Sequence, residues 1–422
     1  MGSIDEITRP REYCSPWDDL FARVVREWAE AEVMPFRRSF DEDWREHKRV
    51  GPALDRLMGG LAVQRALFPE AYGGWGLGSS DYLAATVLRV LEEVSRGDAG
   101  MGIAVAAHSW PLLSICRKPH VNERLCAEFA PLFCGTTKAR RAANALTEPQ
   151  GGSDIENLDL LHGSTITTTA TLQGDEWVID GHKLWPSNSG GAACLFGVAC
   201  TTRPGSTDPR DFCYIFVPAD RPGVTQGPPI EKAGMATDRN SDVWFEHVRV
   251  PGWYRASGPG DDLRRVREML SFASLASLGL ISGVLLNVYE ILGELSTTLR
   301  HAGRPLRAHD AAASVLADVV SNLELIRIIS YQYARVLDRP DLYGSADGAE
   351  VMARGRVYKT FACDRAIDSL GRAMSLLESH GVDRRADVEK HWRDLKIVQL
   401  WLGGKQLCQI EAARWFFECE TL

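Results

Sequence analysis

The strongest constraint on this chain is a change of period near Arg141 and another near Asp261. From Ser15 to about Phe133 apolar residues recur three and four apart, as in WDDLFARVVREWAEAEVMPF, which buries one face of a helix. After Arg141 the texture alternates. STITTTATLQGDEWVIDGHKLW mixes β-branched and polar residues around a Gly-Asp turn, a hairpin signature. AACLFGVACTT, FCYIFVPAD and SDVWFEHVRVP follow as short strand-like runs between Pro, Gly and Asp clusters. From roughly Asp261 the helical spacing returns in four long segments, 262–299, 308–337, 347–378 and 386–419. The pattern predicts a mainly α fold with a central β domain. An N-terminal helical domain covers 1–140, a middle β-barrel-like domain 141–252, and a C-terminal four-helix bundle 253–422.

At 422 residues, 45% hydrophobic and 25% charged, the chain has material for two or three packed units. The formal charge of −8 is spread out with no basic tract, so no nucleic-acid partner is expected. The N-terminal MGSIDEITRPREYCSPW lacks the apolar core of a signal peptide. The longest apolar stretch, LASLGLISGVLLNVYEIL, is interrupted by Ser, Gly and Asn, so no membrane association is expected. The ten cysteines are scattered without a C-x-x-C pair or a His-Cys cluster, as buried or free thiols rather than disulfides or metal ligands. The expectation is a soluble cytoplasmic protein.

Five stretches carry the functional information: FPEAYGG at 68–74, ALTEPQGGSD at 145–154, GHKLWPSNS at 181–189, GVTQGPPIEKAGMATDRNSDVWFEHVRVP at 223–251 and RDLKIVQLW at 393–401. In ALTEPQGGSD the glycines let the backbone approach a flat ligand and its amides donate to it. Trp185 carries a large apolar face, suited either to the core or to stacking. In this order and spacing, over nearly the whole chain, the five stretches resemble the acyl-CoA dehydrogenase superfamily, flavoproteins with the same α, β, α order.

The resemblance implies FAD as cofactor and an acyl-CoA or acyl-carrier-protein thioester as substrate. It also implies an electron acceptor for the flavin and a homodimer or homotetramer. It places Leu146 and Thr147 against the isoalloxazine, and Gly152 and Ser153 near the pantetheine or the flavin phosphates. Trp185 would lie on the flavin's face and Ser187 near its N5 edge, with Glu148 and Asp154 structural in the loop. The helix AGMGIAVAAHSW becomes the acyl-pocket wall. Its small residues (Gly100, Gly102, Ala104, Ala106, Ala107) either leave room for the acyl chain or allow close helix packing.

Two departures stand out. The family's commonest base is a glutamate before Gly-Thr, ending R-D-x-K-I-x-x-I-Y-E-G-T. Here the frame runs Arg393, Asp394, Lys396, Ile397, Trp401 and puts Leu402 in that place, before Gly403-Gly404. Leucine cannot take a proton. Two carboxylates are candidates for a relocated base. Glu268 is one residue from the Met269 or Leu270 position that matches the site some relatives use, and Asp98 opens the pocket helix, where it also suits an N-cap.

The second departure concerns the adenine half of the cofactor site. RHAGRPL at 300–306 lacks the Phe of R-x-x-F-G, leaving Arg300 as the phosphate partner. Glu378 and Ser379 stand at the Gly-Gly positions of Q-x-x-G-G-x-G-Y, with a carboxylate and a Cβ where the pyrophosphate would approach. The expected activity is FAD-dependent introduction of a C=C bond into an acyl thioester. Redox-neutral thioester chemistry (elimination or cyclisation), a non-catalytic subunit of a hetero-oligomer, and a flavin monooxygenase on the same fold stay open.

Overall fold

A computed structural model describes residues 10, 13, 15–152, 166–383 and 387–419. Ser15 starts the first helix, α1 (Pro16–Glu32): its hydroxyl caps the helix, and its amide donates to Asp18 Oδ2 at 2.8 Å. Helix α1 lies on α2 (Leu83–Gly97), followed after a single residue by α3 (Ala99–Cys116); α4 (Glu123–Cys134) closes the N-terminal domain. Asp98 is the one-residue joint, extended in backbone, with its side chain accepting the Met101 amide at 3.0 Å. Helix α3 is buried almost all round, as its nearly uniform apolarity predicts.

The middle domain is a curled seven-stranded sheet. Its strands are β1 (Arg141–Ala145), β2 (Thr169–Gln173), β3 (Glu176–Lys183), β4 (Ala193–Thr201), β5 (Phe212–Pro218), β6 (Val224–Gln226) and β7 (Val243–Pro251), in the order β1-β4-β2-β3-β7-β6 with β5 paired to β4. The expected hairpin is β2–β3, antiparallel and turning at Gly174 and Asp175. Strand β1 runs parallel to β4, so it must enter from outside the meander, and it comes directly from the helical domain.

The C-terminal domain holds α5 (Asp261–Thr298), α6 (Asp310–Asp338), α7 (Ala349–Leu377), α8 (Val388–Leu400) and α9 (Gly404–Phe417). The fourth predicted segment is therefore two helices, broken where Leu402, Gly403 and Gly404 all have positive φ. Helix α5 packs along both α2 and α3 and joins the outer domains. Ala99–Cys116 and Asp261–Thr298 are long and apolar enough to cross a bilayer, but 89% and 100% of their most apolar stretches lie inside the fold. Among the isoleucine- and tyrosine-rich positions of α6, Ile326, Tyr331 and Tyr333 are buried in the chain's own core, whereas Ile328 stays exposed with Leu325 and with Phe361 of α7.

Candidate active site

Strand β1 delivers Ala145–Glu148 and the end of β3 delivers Lys183–Asn188, side by side: the Leu184 amide donates to the Thr147 carbonyl at 2.8 Å. A buried ion pair braces them. The Lys183 ammonium donates to Glu148 Oε1 at 2.7 Å and to the Leu146 carbonyl at 3.0 Å. Glu148 also accepts the amides of Thr167 and Thr168 at 2.8 and 3.0 Å and their hydroxyls at 2.7 and 2.6 Å. Burial alone would raise this carboxyl, but the Lys183 charge and the threonine hydroxyls outweigh it and hold it down to about 2. A folded value below the unfolded 4.5 means the native state binds fewer protons in that window. The stability this group contributes is therefore complete above pH 4.5 and is lost as pH falls toward 2. Melting curves against pH are expected to show this slope in the natural protein and not in Glu148→Gln.

On this brace, Leu146 is buried, Thr147 and Ser187 are half-buried, and Trp185 is 48% exposed at φ +53°. Asn240 Nδ2 donates to the Trp185 carbonyl at 2.9 Å and fixes the backbone there. A large aromatic face kept out of the core beside half-buried hydroxyls is a platform for a flat ring, so the residues at the ring end fit FAD. Asn188 is not part of that platform: it is fully buried, and its Nδ2 donates to Ala104 O of α3 at 2.8 Å and to Ala142 O of β1 at 3.1 Å. Gly152 is an exposed bend; Ser153 and Asp154 lie outside the described residues.

Helix α3 acts as a ruler along the site. Ala104 touches the Lys183–Asn188 segment. Six residues on, ~9 Å along the axis, Trp110 meets Trp401 edge to face, ring centroids 6.4 Å apart at 83°. Trp401 opens the turn that carries Leu402, which is buried at φ +54°. The Lys359 ammonium donates to the Trp401 carbonyl, the Gly404 amide reaches the same oxygen at 3.1 Å, and the Trp401 indole N–H donates to Ser277 Oγ of α5 at 2.7 Å. Helix α3 thus contacts both the Lys183–Asn188 segment and the tryptophan that precedes Leu402.

Neither relocated-base candidate sits at that turn. Asp98 is twelve residues before Trp110, ~18 Å along α3, and fully enclosed. Its Oδ1 accepts from Met101 N and from the Thr237 hydroxyl, and Oδ2 faces Lys390 Nζ at 2.9 Å. Burial opposes ionisation, but Lys390 and these hydrogen bonds outweigh it and hold the carboxyl well below the usual range. This is the N-cap use that its chemistry also suited. Glu268 is nine residues before Ser277, ~13 Å along α5. It is clamped between Arg117 at 3.2 Å and Arg265 at 2.7 Å, with burial pushing its carboxyl up against those two charges.

Two of the small residues of α3, Gly100 and Gly102, serve close packing. A Cβ on Gly100 would stand 2.3 Å from Thr237 Oγ1, and one on Gly102 would stand 2.1 Å from Ser95 Oγ. At the adenine end, Arg300 is exposed on a two-stranded hairpin, its guanidinium folded back on Gly303 O at 2.9 Å. Glu378 takes φ +50°, ψ −123°, a backbone shape that glycine adopts freely and glutamate rarely.

The RDLKIVQLW motif has its own junction, which the sequence did not reveal. Lys390 sits between Asp98 of α3, Asp394 of its own helix at 2.7 Å and Asp41 at 3.7 Å. Asp394 in turn accepts the Met235 amide of the middle domain at 2.6 Å, and Arg393 pairs with Asp41 at 2.7 Å. All three domains meet on these few charges. The Lys390–Asp394 spacing of four was legible as a helical ion pair; the contact with Asp98 was not.

A helical domain, a curled sheet and a helical bundle in this order, with a ring platform on the sheet, fit the three-domain flavin-dependent oxidoreductases. Residues 15–118, 143–248 and 263–415 match the N-terminal, middle and C-terminal domain models of acyl-CoA dehydrogenase. The chain belongs to the acyl-CoA dehydrogenase family, whose enzymes depend on FAD. It is 25% identical over 394 residues to the mitochondrial short-chain specific acyl-CoA dehydrogenase of Bos taurus, covering 93% of this chain and 88% of the relative. Butyryl-CoA dehydrogenase from Megasphaera elsdenii superposes with a TM-score of 0.81 at 23% identity, covering 96% and 99% of the two chains. The prolyl acyl carrier protein oxidase AnaB superposes with a TM-score of 0.80 at 20% identity, covering 95% and 99%.

Proposed function

We propose that this chain is an FAD-dependent oxidoreductase that introduces a C=C bond at Cα–Cβ of an acyl group carried on CoA or on a carrier protein, in the cytoplasm. The observation that carries the reading is α3, which meets the Lys183–Asn188 segment through Asn188 at Ala104 and the Trp401–Leu402 turn at Trp110. FAD, when bound, supplies the two-electron acceptor, and an external acceptor must regenerate it. Leu146, Thr147, Trp185 and Ser187 would hold the ring, and Glu148 with Lys183 keeps their two segments in register. Arg300 would serve the phosphates, with a second copy of the chain completing the adenine end. Exposed Leu325, Ile328 and Phe361 support such a homodimer or homotetramer.

Because residue 402 is aliphatic, the α-proton leaves to some other group, and the ion pairs of Asp98 and Glu268 argue that neither is that group. The absorbance of the purified yellow protein, recorded anaerobically before and after adding a thioester panel, tests the reading: bleaching supports it, and a flavin unchanged by every thioester sinks it. Asp98→Asn and Glu268→Gln are each expected to leave the bleaching rate per bound flavin within about threefold of the natural protein. Loss of a general base costs about 10²–10⁴-fold, so a hundredfold drop in either variant would restore that residue as the base. Leu402 also favours a second reading, a subunit partnered by a Glu-bearing paralogue or an enzyme whose thioester chemistry needs no α-base. Co-purification of such a paralogue, or a product of unchanged oxidation state, would select it.

A further inference from the structure

We propose that Trp110 and Trp401 form a fixed aromatic wall that limits the acyl group to a compact one, short or small-ringed, rather than a long straight chain. The inference rests on the thioester reading above and adds the substrate class to it. Trp401 is pinned at both ends. Its carbonyl takes the Lys359 ammonium, and its indole N–H takes Ser277 Oγ, a buried hydroxyl that itself donates to Ala273 O at 3.0 Å. Trp110 abuts it edge to face from α3, so the two indoles bridge α3 and α5 immediately before Leu402. A ring held by hydrogen bonds at backbone and side chain does not swing aside as a flexible Leu or Met would.

The α2 side of α3, which neither indole lines, offers no second room for a long chain. One turn earlier on α3, Val105, Ala106 and Ser109 line an apolar cavity of about 50 Å³ against Val87, Val90 and Leu91 of α2. A dry cavity of roughly 150 Å³ is what benzene needs, so this one takes no more than the tip of a small group. Farther toward the start of α3, the space over Gly100 and Gly102 is filled by Thr237 and Ser95.

The test is a chain-length series of unreactive S-alkyl-CoA thioethers, two to ten carbons long. They are titrated into the yellow holoprotein and followed both by the flavin's absorbance shift and by calorimetry. A single methylene in an apolar pocket is worth about 10–200-fold in discrimination. The natural protein should therefore bind the four-carbon thioether at least tenfold more tightly than the eight-carbon one. Trp110→Ala and Trp401→Ala should remove or invert that preference, and Trp110→Phe should keep most of it. Ser277→Ala, which frees the indole without emptying the wall, should flatten the profile. Equal binding of four and eight carbons by the natural protein overturns the inference alone. So does an alanine variant that melts like the natural protein yet keeps its profile. Binding of no thioether at any length by a fully yellow protein overturns the thioester reading and this inference with it.

Discussion

Replacing Leu402 by glutamate is expected to raise the rate of α-proton exchange from a bound acyl thioester by about 10²-fold or more, the lower bound of what a placed general base contributes. The geometry favours success. Residue 402 already has φ +54° with a side chain, so glutamate asks nothing new of the backbone. The turn is held independently of the side chain, by Lys359 and the Gly404 amide on Trp401 O and by Cys408 Sγ on Leu402 O at 3.4 Å. The position is only 5% exposed, so burial should lift the new carboxyl, with the nearby Lys359 ammonium opposing that lift. Placing a carboxyl there costs stability, about 1–3 kcal/mol, which a modest fall in melting temperature would report. Deuterium uptake at Cα in D₂O, read by mass spectrometry, measures proton abstraction whether or not the flavin turns over. A folded, yellow Leu402→Glu protein with unchanged uptake would show that the turn does not face the α-carbon.

Removing Lys390 should produce one of the larger losses of stability available from one substitution. In Lys390→Met the carboxylates of Asp98 and Asp394, both fully buried, face each other with no cation between them. Breaking a buried ion pair from one side costs about 3–5 kcal/mol, against a total of about 5–15 kcal/mol for a domain. With Lys390 present, the directions already differ: Asp98 is held low, while burial pushes Asp394 up despite the same lysine. Without it both should rise and one should take up a proton. The expected result is a melting temperature lowered by the order of 10 °C or a failure to accumulate folded protein. Asp98→Asn should be far milder, since asparagine caps a helix as well as aspartate and Lys390 keeps two acidic neighbours. Differential scanning calorimetry of the two variants separates them, and a Lys390→Met protein as stable as Asp98→Asn would mean the junction contributes little.

Much of the fold could be read before any coordinates. The Gly174–Asp175 hairpin, the all-apolar α3 and the break after Leu400 each follow from local rules of period and turn chemistry. Strands β1 and β6 escaped. RAANA has no alternation because β1 is buried on nearly every residue, and VTQ is too short to show any. The candidate ring-end residues stood out because one loop and one strand end carry them in ordered motifs, and the structure brings those two segments side by side. The roles of Asp98 and Glu268 were not, because a carboxylate reads the same in a sequence whether it faces substrate or a lysine 292 positions away.

The residues alone settled the order of the domains and the aliphatic side chain at 402, because each depends on local spacing or on side-chain identity. Only the tertiary structure decided which charges neutralise which. Lys390 and Asp394 join three domains, Arg117 and Arg265 claim Glu268, and two tryptophans nearly three hundred positions apart meet beside Leu402. Period and composition report that a side chain is buried; they carry no record of the partner that packing brings to it.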